Sequence, residues 1–505
     1  MLRRLPRIGP AAAPDPIRED LFGDDGRFRW SVVVFLAVNL IVGGVLRFVH
    51  LGDESIWYDE ACSLAMANHS AGDILSGRAF DVGNPPGYFL LLHYWCEVFG
   101  YTVVSARALS AAAGTLTVLV AWLLCMSVSW DRRIAMIATT LVTINPALIF
   151  LSREARTFSI NATLVTLLAY IAIRLVRRTR LIDWSVFLLC GTSLVFLHYY
   201  NLFLLCIVSV PVLWGRRNHL WTTLPCFVAT AAAIAVPFSL WLPVFIRQLS
   251  AWAAPDVPWW KHALYFPVYV VGGRTFVWKQ DGLYLMAAAW MLVLVAILAP
   301  VIWGLFRSPK SIGIPLAIGV GMPAVAVAMS ILKDPMLNCR YLSPVIPCLV
   351  VAATVSIWWL SRQYPIIGGS ALTIAVSVAI AALPRMYGER QKDDWRSAVA
   401  YLSRRADDSL VVFNRDIGVV PYQYYDPDVR ALPLKMDFDP TSDSVAMRDY
   451  ERRMRAAGEF WVVQWLADLD SDLPAVQRWL TERFDAVQQR EFRGLVVQRY
   501  VAGAR

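Results

Sequence analysis

Residues 30–60 read WSVVVFLAVNLIVGGVLRFVHLGDESIWYDE, an apolar run followed directly by a loop that ends in two adjacent acids. The run from Trp30 to Val49 has the length that an α-helix needs to cross a bilayer, about 20 residues. Asp59 and Glu60 come soon after it, beside Trp57 and Tyr58. Carboxylates are costly to hold near hydrocarbon, so this pair indicates chemistry at a membrane surface.

The composition favours the same setting. Of 505 residues, 57% are hydrophobic and 17% are charged, too few charges for a soluble protein of this length. Similar apolar runs recur along the chain, so the sequence predicts a polytopic α-helical membrane protein with about eleven transmembrane helices. The predicted spans are 30–49, 108–128, 134–151, 158–176, 184–197, 202–214, 224–245, 283–306, 314–332, 342–360 and 366–383.

The basic residues predict the orientation, since loops rich in Lys and Arg stay in the cytoplasm. They cluster before the first span and at 132–133, 174–180, 216–217 and 307–310. The outer side then receives the first loop, 50–107, and the connections at 152–157, 198–201, 247–282 and 333–341. This parity requires that residues 87–99, GYFLLLHYWCEVF, lie on the outer surface as a helix too short to cross.

The composition changes after the last span, and three regions result. Residues 1–29 form a cytoplasmic segment, 30–384 a membrane domain, and 385–505 a soluble domain on the outer side. The last region holds 19 of the 47 basic and 20 of the 38 acidic residues. Its pattern predicts a small α/β domain. The predicted elements are helices at 393–404 and 473–484 and strands at 409–413, 460–465 and 494–501.

Charge and cysteine usage narrow the function classes. The net charge of +9 comes from the cytoplasmic loops of the membrane part and gives no case for nucleic acid. The eight cysteines show no close C-x-x-C spacing and five fall in apolar runs, so neither a metal nor another cofactor is expected. Cys62 and Cys96 share the outer loop, and they are either a disulfide or, as we favour, two unpaired thiols.

The acids and the large apolar body fit transfer from a lipid-linked donor. The polyprenyl phosphate of such a donor is already a good leaving group, so the protein supplies a base and cations for the departing phosphate. Asp59 is the candidate base. The candidate phosphate ligands lie on outer loops and are Arg153, Arg156, Lys333 and Arg340.

Several short strings occur in a specific order. They are Trp57-Tyr58-Asp59-Glu60-Ala61-Cys62-Ser63, Asn84-Pro85-Pro86-Gly87-Tyr88, Arg107, Leu151-Ser152-Arg153-Glu154-Ala155-Arg156 and Cys339-Arg340-Tyr341-Leu342-Ser343-Pro344. In these strings, and over most of residues 30–400, the chain resembles the GT-C superfamily of polyprenyl-phosphate-sugar-dependent glycosyltransferases. The resemblance is to bacterial protein O-mannosyltransferases and lipid A aminoarabinose transferases.

The resemblance implies a GT-C fold in the bacterial cytoplasmic membrane, with the active site and the C-terminal domain facing the periplasm. It implies Asp59 as base, Glu60 as its positioning neighbour and Glu154 as a second acid. The closer relatives are expected to work without a divalent metal. The expected partners are a polyprenyl-phosphate sugar, an acceptor hydroxyl on an envelope lipid, glycan or protein, and membrane lipids. Asn84 departs from the family, since many relatives carry His there.

Each assignment has a structural alternative. Asp59 and Glu60 could begin a surface helix, Glu154 could belong to an ion-paired turn, and Arg340 could anchor a span end. The predicted substrate-lining residues are Tyr58, Asn84, Tyr88, His198 and Tyr199. All of them except Asn84 could instead belong to an interfacial aromatic belt.

Two other functions compete with glycosyl transfer. A transporter or flippase would show matching halves with broken helices, and no such repeat is visible. A polymer ligase using a diphosphate-linked glycan would place its basic residues in a large late loop. The segment 247–282, rich in Trp and cations, is either a lid or an anchor in the outer leaflet.

Overall fold

Helices make up most of the protein, as a computed structural model of the chain shows. It describes residues 30–79, 83–251, 259–273, 302–303, 306, 310–332, 338–388, 390–405, 409–434, 445–465 and 473–502. The helices of the membrane part are α1 (Trp30–Phe48), α2 (Tyr58–Ala67), α3 (Ala71–Ser76), α4 (Gly87–Phe99), α5 (Val103–Ser129), α6 (Arg132–Ile144), α7 (Pro146–Ser152), α8 (Phe158–Arg177), α9 (Leu181–Leu197), α10 (Asn201–Gly215), α11 (Leu220–Ala251), α12 (Trp259–Gly272), α13 (Gly313–Leu332), α14 (Cys339–Leu342), α15 (Ile346–Gln363) and α16 (Pro365–Gly388).

Seven stretches of the described chain are long and apolar enough to cross a membrane. They are α1, α5, α8, α11, α13, the continuous stretch α14–α15, and α16. The pair α6–α7, bent by 51°, makes an eighth if it is counted as one span. Helices α9 and α10 coincide with two further predicted spans but are shorter than the seven spanning stretches. The predicted span 283–306 lies almost entirely outside the described residues.

The burial of the helices separates a packed centre from an apolar exterior. Helices α5 and α8 are largely buried and contribute much of the main hydrophobic core. Helix α11 instead exposes large apolar side chains, including Trp221 at 93% and Leu240 at 82%. An exposed apolar surface of this kind is what lipid covers in a membrane protein.

The C-terminal region folds into a small α/β domain, as predicted. Its sheet has the order β2-β1-β3-β5-β4, with β1 parallel to β2 and β3, and β5 antiparallel to β3 and β4. The strands are β1 (Leu410–Phe413), β2 (Ala431–Pro433), β3 (Glu459–Trp465), β4 (Asp485–Phe492) and β5 (Leu495–Val501). The helices are α17 (Trp395–Leu402), α18 (Val419–Gln423), α19 (Val445–Ala457) and α20 (Leu473–Arg483).

This domain docks on the first loop of the membrane part. The Tyr425 hydroxyl accepts a hydrogen bond from Ile56 N at 2.9 Å and lies 3.2 Å from Ser55 Oγ. The Tyr424 hydroxyl accepts a bond from Val103 N at 3.0 Å, at the start of α5. Arg396 donates to the Gly52 carbonyl at 2.9 Å. We refer to these contacts together as the seam between the domain and the loop.

Candidate active site

Three separate segments bring the predicted acids together. Asp59 and Glu60 lie in the first turn of α2, where the helix dipole stabilises negative charge. Glu154 lies in the turn 153–157, which connects α7 to α8. Helix α7 itself begins at the bend formed by Asn145 and Pro146. Arg340 lies in α14, in the first turn of the apolar stretch α14–α15 that is long enough to cross a membrane.

Arg340 joins the two acids that the sequence assigned to catalysis. Its Nη1 lies 2.8 Å from Asp59 Oδ2, and its Nη2 lies 3.1 Å from Glu154 Oε2. The guanidinium also stacks over the Trp57 ring, 4.4 Å from the centroid, and lies 5.2 Å from that of Phe158. Asp59 and Glu154 are therefore neighbours on one cation, although 95 positions separate them in the sequence.

Glu60 faces away from this cation into a second ion-pair network. Its two carboxylate oxygens accept hydrogen bonds from Arg107 Nε at 2.8 Å and Nη2 at 2.7 Å. It also accepts a bond from Ala155 N at 2.9 Å and pairs with Lys392 Nζ at 3.1 Å. Its side chain is 0% exposed. This position agrees with a positioning role for Glu60 rather than contact with substrate.

The cations keep both carboxylates of α2 ionised. Burial alone would raise the pKa of Asp59, but the charges of Arg156 and Arg340 outweigh it and hold that pKa below its usual range. Burial would also raise the pKa of Glu60, yet Arg107 and Lys392 lower it to about 2. Both groups are therefore negatively charged at neutral pH.

Arg156 also belongs to this cluster. It is buried, and its Nη1 donates at 3.3 Å to both the Asp59 carbonyl and Ser63 Oγ. The cluster thus combines three carboxylates, Asp59, Glu60 and Glu154, with four cations. The four cations are Arg107, Arg156, Arg340 and Lys392. A fourth carboxylate, Glu54, acts on Arg107 and Lys392 through its charge, so the described acids and cations of the cluster are nearly balanced.

An aromatic wall extends the site from Arg340. Phe158 lies 6.3 Å from Tyr341, and His198 lies 5.1 Å from Tyr341 and 5.0 Å from Tyr200, measured between ring centroids. Burial lowers the pKa of His198 to about 4, and the nearby charge of Arg156 adds to the effect. His198 is therefore a neutral group at physiological pH.

The other predicted lining residues lie in three separate places. Tyr199 donates to Gln248 Oε1, and Gln248 Nε2 donates to the Asn84 carbonyl at 3.0 Å, so these residues form one polar chain. Tyr88 is buried, and its hydroxyl interacts electrostatically with Arg156 and Glu60. Tyr58 lies at the seam, where its ring centroid is 5.9 Å from that of Trp465. Their contact with substrate stays a prediction.

One predicted phosphate ligand, Arg153, is not brought to the acids. It lies on the other side of the turn 153–157, where it donates to the His50 carbonyl at 3.1 Å and covers the Tyr387 ring. There it lines a cleft of about 390 Å³ together with Arg390 and Arg396. Lys333 and residues 252–258 and 274–282 of the segment 247–282 lie outside the described residues.

Sequence reasoning left two cations out of the site. Arg107 was noted only as part of a motif, although a lone Arg inside an apolar helix signals a buried acidic partner. Lys392 stands in the charged string Glu389-Arg390-Gln391-Lys392-Asp393-Asp394, and nothing in that string distinguishes it. Its role is visible only because the domain docks on the loop.

Among the described residues, no group of three or more His, Cys, Asp or Glu side chains is placed to hold a metal ion. Between Asp59 and Glu154, the position that a shared metal would need is taken by the Arg340 guanidinium. The eight cysteines all lie within the described part, and none of them forms a disulfide there, Cys62 and Cys96 included.

The fold is similar to that of two solved membrane enzymes. ArnT from Cupriavidus metallidurans in the apo state matches with a TM-score of 0.59 and 14% identity, over 94% of this chain and 98% of ArnT. The same protein bound to undecaprenyl phosphate matches with a TM-score of 0.52 and 15% identity over the same shares. The Archaeoglobus fulgidus oligosaccharyltransferase in complex with Zn and sulfate matches with a TM-score of 0.54 and 12% identity, over 93% of this chain and 73% of the other.

These likenesses are visible in three dimensions rather than in sequence. No protein-family model matches the chain, and no curated protein matches it either. At identities this low the likeness establishes the fold and leaves substrates open. The resemblance seen in the motifs is confirmed at that level: the chain is a multi-pass α-helical membrane protein with the fold of the GT-C glycosyltransferases and a small C-terminal α/β domain.

Proposed function

We propose that this protein is an inverting glycosyltransferase. It moves a sugar from a polyprenyl-phosphate donor to an acceptor hydroxyl, with Asp59 as the general base. One observation carries the choice of Asp59. Among the three clustered acids only its side chain is accessible, at 26%, whereas Glu60 and Glu154 are each 0% exposed. A general base has to touch the proton that it removes, so a fully enclosed carboxylate is unsuited to the role.

The cations of the cluster support a phosphate-linked donor. A sugar polyprenyl phosphate is a phosphodiester with one negative charge, which the partly exposed Arg340 can attract. When the sugar leaves, the phosphate gains further negative charge, and preorganised cations stabilise it. Arg340, 21% exposed, and Arg156 are the described cations for this role. Lys333 remains a predicted third ligand.

The reaction is a single displacement at the anomeric carbon. The acceptor oxygen attacks from the face opposite the phosphate, the bond from anomeric carbon to phosphate oxygen breaks, and the configuration inverts. The acceptor proton passes to Asp59. Because Arg156 and Arg340 hold the pKa of Asp59 low, Asp59 is a weak base. It takes the proton late, when the new bond has already made the acceptor oxygen acidic.

The location and partners of the reaction follow the orientation of the chain. We place the site at the outer face of the bacterial cytoplasmic membrane, opposite the basic loops. The likeness to ArnT, which has been crystallised with undecaprenyl phosphate, supports a polyprenyl-phosphate donor. The acceptor hydroxyl belongs to an envelope lipid, glycan or protein. No metal cofactor forms part of the proposal.

The decisive experiment compares purified wild type with Asp59→Asn in detergent, using a panel of polyprenyl-phosphate sugars. We expect the wild type to release free polyprenyl phosphate, and kcat of the variant to fall about 10²- to 10⁴-fold, the usual contribution of a general base. Asp53→Asn is the matched control, since Asp53 is exposed and pairs only with His50, at 2.6 Å, among the contacts seen.

The outcomes separate the competing functions. Equal turnover in wild type and Asp59→Asn contradicts the base assignment. If no donor is cleaved but labelled lipid moves between the two leaflets of proteoliposomes that contain the protein, the protein is a flippase and the enzyme proposal is wrong. An arm with excess chelator is expected to leave the rate unchanged.

A further inference from the structure

Lys392 connects the C-terminal domain to the acidic cluster. It lies between the end of α16 at Gly388 and the start of α17 at Trp395. Its Nζ lies 3.1 Å from Glu60 Oε2, and its side chain is only 2% exposed. A lysine is rarely buried to this degree unless a partner compensates its charge. Glu60 is that partner.

The segment that carries Lys392 belongs to the domain rather than to the last span. Asp393 accepts a hydrogen bond from Trp465 Nε1 at 2.9 Å, at the end of β3. Asp394 N donates to the Arg493 carbonyl at 2.9 Å, in the turn between β4 and β5. The sheet therefore fixes the position of Lys392, and the ion pair between Lys392 and Glu60 couples that position to the cluster.

Glu60 links four parts of the chain through one carboxylate. It belongs to α2, it pairs with Arg107 of α5, it accepts from Ala155 N of the turn 153–157, and it pairs with Lys392 of the domain. Asp59 directly precedes Glu60, and Glu154 directly precedes Ala155. A shift of Glu60 therefore moves both acids that share Arg340.

We propose that Lys392 is a positioning residue for glycosyl transfer, through which the docked C-terminal domain fixes Glu60 and, with it, Asp59 and Glu154. This inference rests on the proposed function. It assigns the domain a part in the reaction itself: the site reaches its working geometry only while the domain is seated on the first loop.

The test uses the full-length protein and three substitutions: Lys392→Met removes the charge and the bond, Lys392→Gln keeps a hydrogen-bond donor, and Lys392→Arg keeps the charge. We expect kcat of Lys392→Met to fall on the order of 10²-fold, as misplaced reacting groups do, while KM for the donor stays nearly unchanged. Lys392→Arg is expected to recover most of kcat, and Lys392→Gln less. Arg452→Met is the matched control, because Arg452 is exposed on α19 and pairs with Asp449 of the same helix, away from the first loop.

The proposal is overturned if Lys392→Met keeps wild-type kcat per folded molecule, or if Arg452→Met loses as much. Should Lys392→Met fail to accumulate, the Arg and Gln variants decide. A higher kcat for Lys392→Arg than for Lys392→Gln supports positioning, and equal values for both contradict it.

A second readout needs no donor and keeps this test separate from the proposed function. Hydrogen exchange is measured on the peptides around Ala155 and Asp59 in wild type, Lys392→Met or Lys392→Gln, and Arg452→Met. Faster exchange only in the Lys392 variant supports the coupling even if no polyprenyl-phosphate sugar is a substrate. Unchanged exchange contradicts it. A wild type that shows the coupling but no turnover contradicts the proposed function alone.

Discussion

Arg340 has two acidic partners, and this makes each acid sensitive to the other. Asp59 and Glu154 hold opposite sides of one guanidinium, at 2.8 and 3.1 Å. If Glu154 loses its charge, the cation interacts with Asp59 alone, stabilises its ionised form further and weakens it as a base. The second acid therefore acts on the reaction through Arg340.

Glu154→Gln is expected to lower kcat about 10-fold, because a more strongly held Asp59 accepts the acceptor proton less readily. Steady-state kinetics with the best donor measures this effect. Glu97→Gln is the control, since Glu97 lies on α4, is exposed and accepts a bond from Tyr101. If Glu154→Gln loses thermal stability but keeps full kcat, the ion pair between Glu154 and Arg340 has a purely structural role.

Glu60 gives the fold a dependence on pH. Its folded-state pKa is about 2, below the unfolded value of about 4.3, so its stabilising contribution is complete above pH 5 and is lost as pH falls towards 2. The contribution is roughly 3 kcal/mol, at 1.36 kcal/mol for each pKa unit. We expect the melting temperature of the wild type to fall between pH 5 and 3. In Glu60→Gln it should start lower and change less, and parallel curves would contradict this account.

At the scale of the element, the turn that carries Glu154 depends on how closely two helices approach. A Cβ on Gly114 of α5 would lie 2.0 Å from Ser152 Oγ, where α7 ends and the turn starts. It would also lie 3.1 Å from Arg47 Nε. The absence of a side chain at Gly114 is therefore what lets α7 pack against α5 and deliver Glu154 to the site.

Gly114→Ala is expected to destabilise the protein by about 1–3 kcal/mol and to reduce kcat, because Ser152 and the following turn have to move. Thermal unfolding in detergent and donor turnover measure the two effects. Gly44→Ala is the control, since a Cβ there meets its nearest atom, in Thr115, at 3.9 Å. Equal stability of the two variants would show that the contact at Ser152 relaxes without cost.

The elements that the sequence predicted are those with a strong local pattern. Apolar runs located the spans, and short apolar segments rich in β-branched and aromatic residues located β3 and β5. Strand β4 was missed because DAVQQREF is polar and almost fully exposed at the sheet edge, and α19 was missed because VAMRDYERRMRAA has few apolar residues. In the site, the motifs predicted Asp59, Glu154 and Arg340. The Glu60–Lys392 pair arises from tertiary docking, which has no local signal.

At the scale of the whole molecule, the seam depends on a small number of polar contacts to the loop backbone. Tyr425 is central, because its hydroxyl accepts from Ile56 N and contacts Ser55 Oγ. Without the hydroxyl, Ile56 N, on a residue that is 0% exposed, is left without its acceptor. An unsatisfied buried donor costs about 1–3 kcal/mol.

Tyr425→Phe is expected to loosen the domain from the loop. Limited trypsinolysis measures it, because Lys392 is buried while the domain is docked and becomes a cleavage site when it lifts. Tyr401→Phe is the control, since its hydroxyl accepts from Gln488 within the domain at 2.7 Å. Equal cleavage after Lys392 in both variants would contradict a role for Tyr425 in docking.

The seam also sets an order of events during synthesis. The bond between Ser55 Oγ and Arg396 N joins residues 341 positions apart. At about 5–20 residues per second, roughly 20–70 s pass between translation of the two. For that interval the newborn membrane part holds its acids without Lys392. A premature stop codon after the last span therefore keeps every helix of the membrane part and every acid of the cluster, yet leaves Glu60 without Lys392.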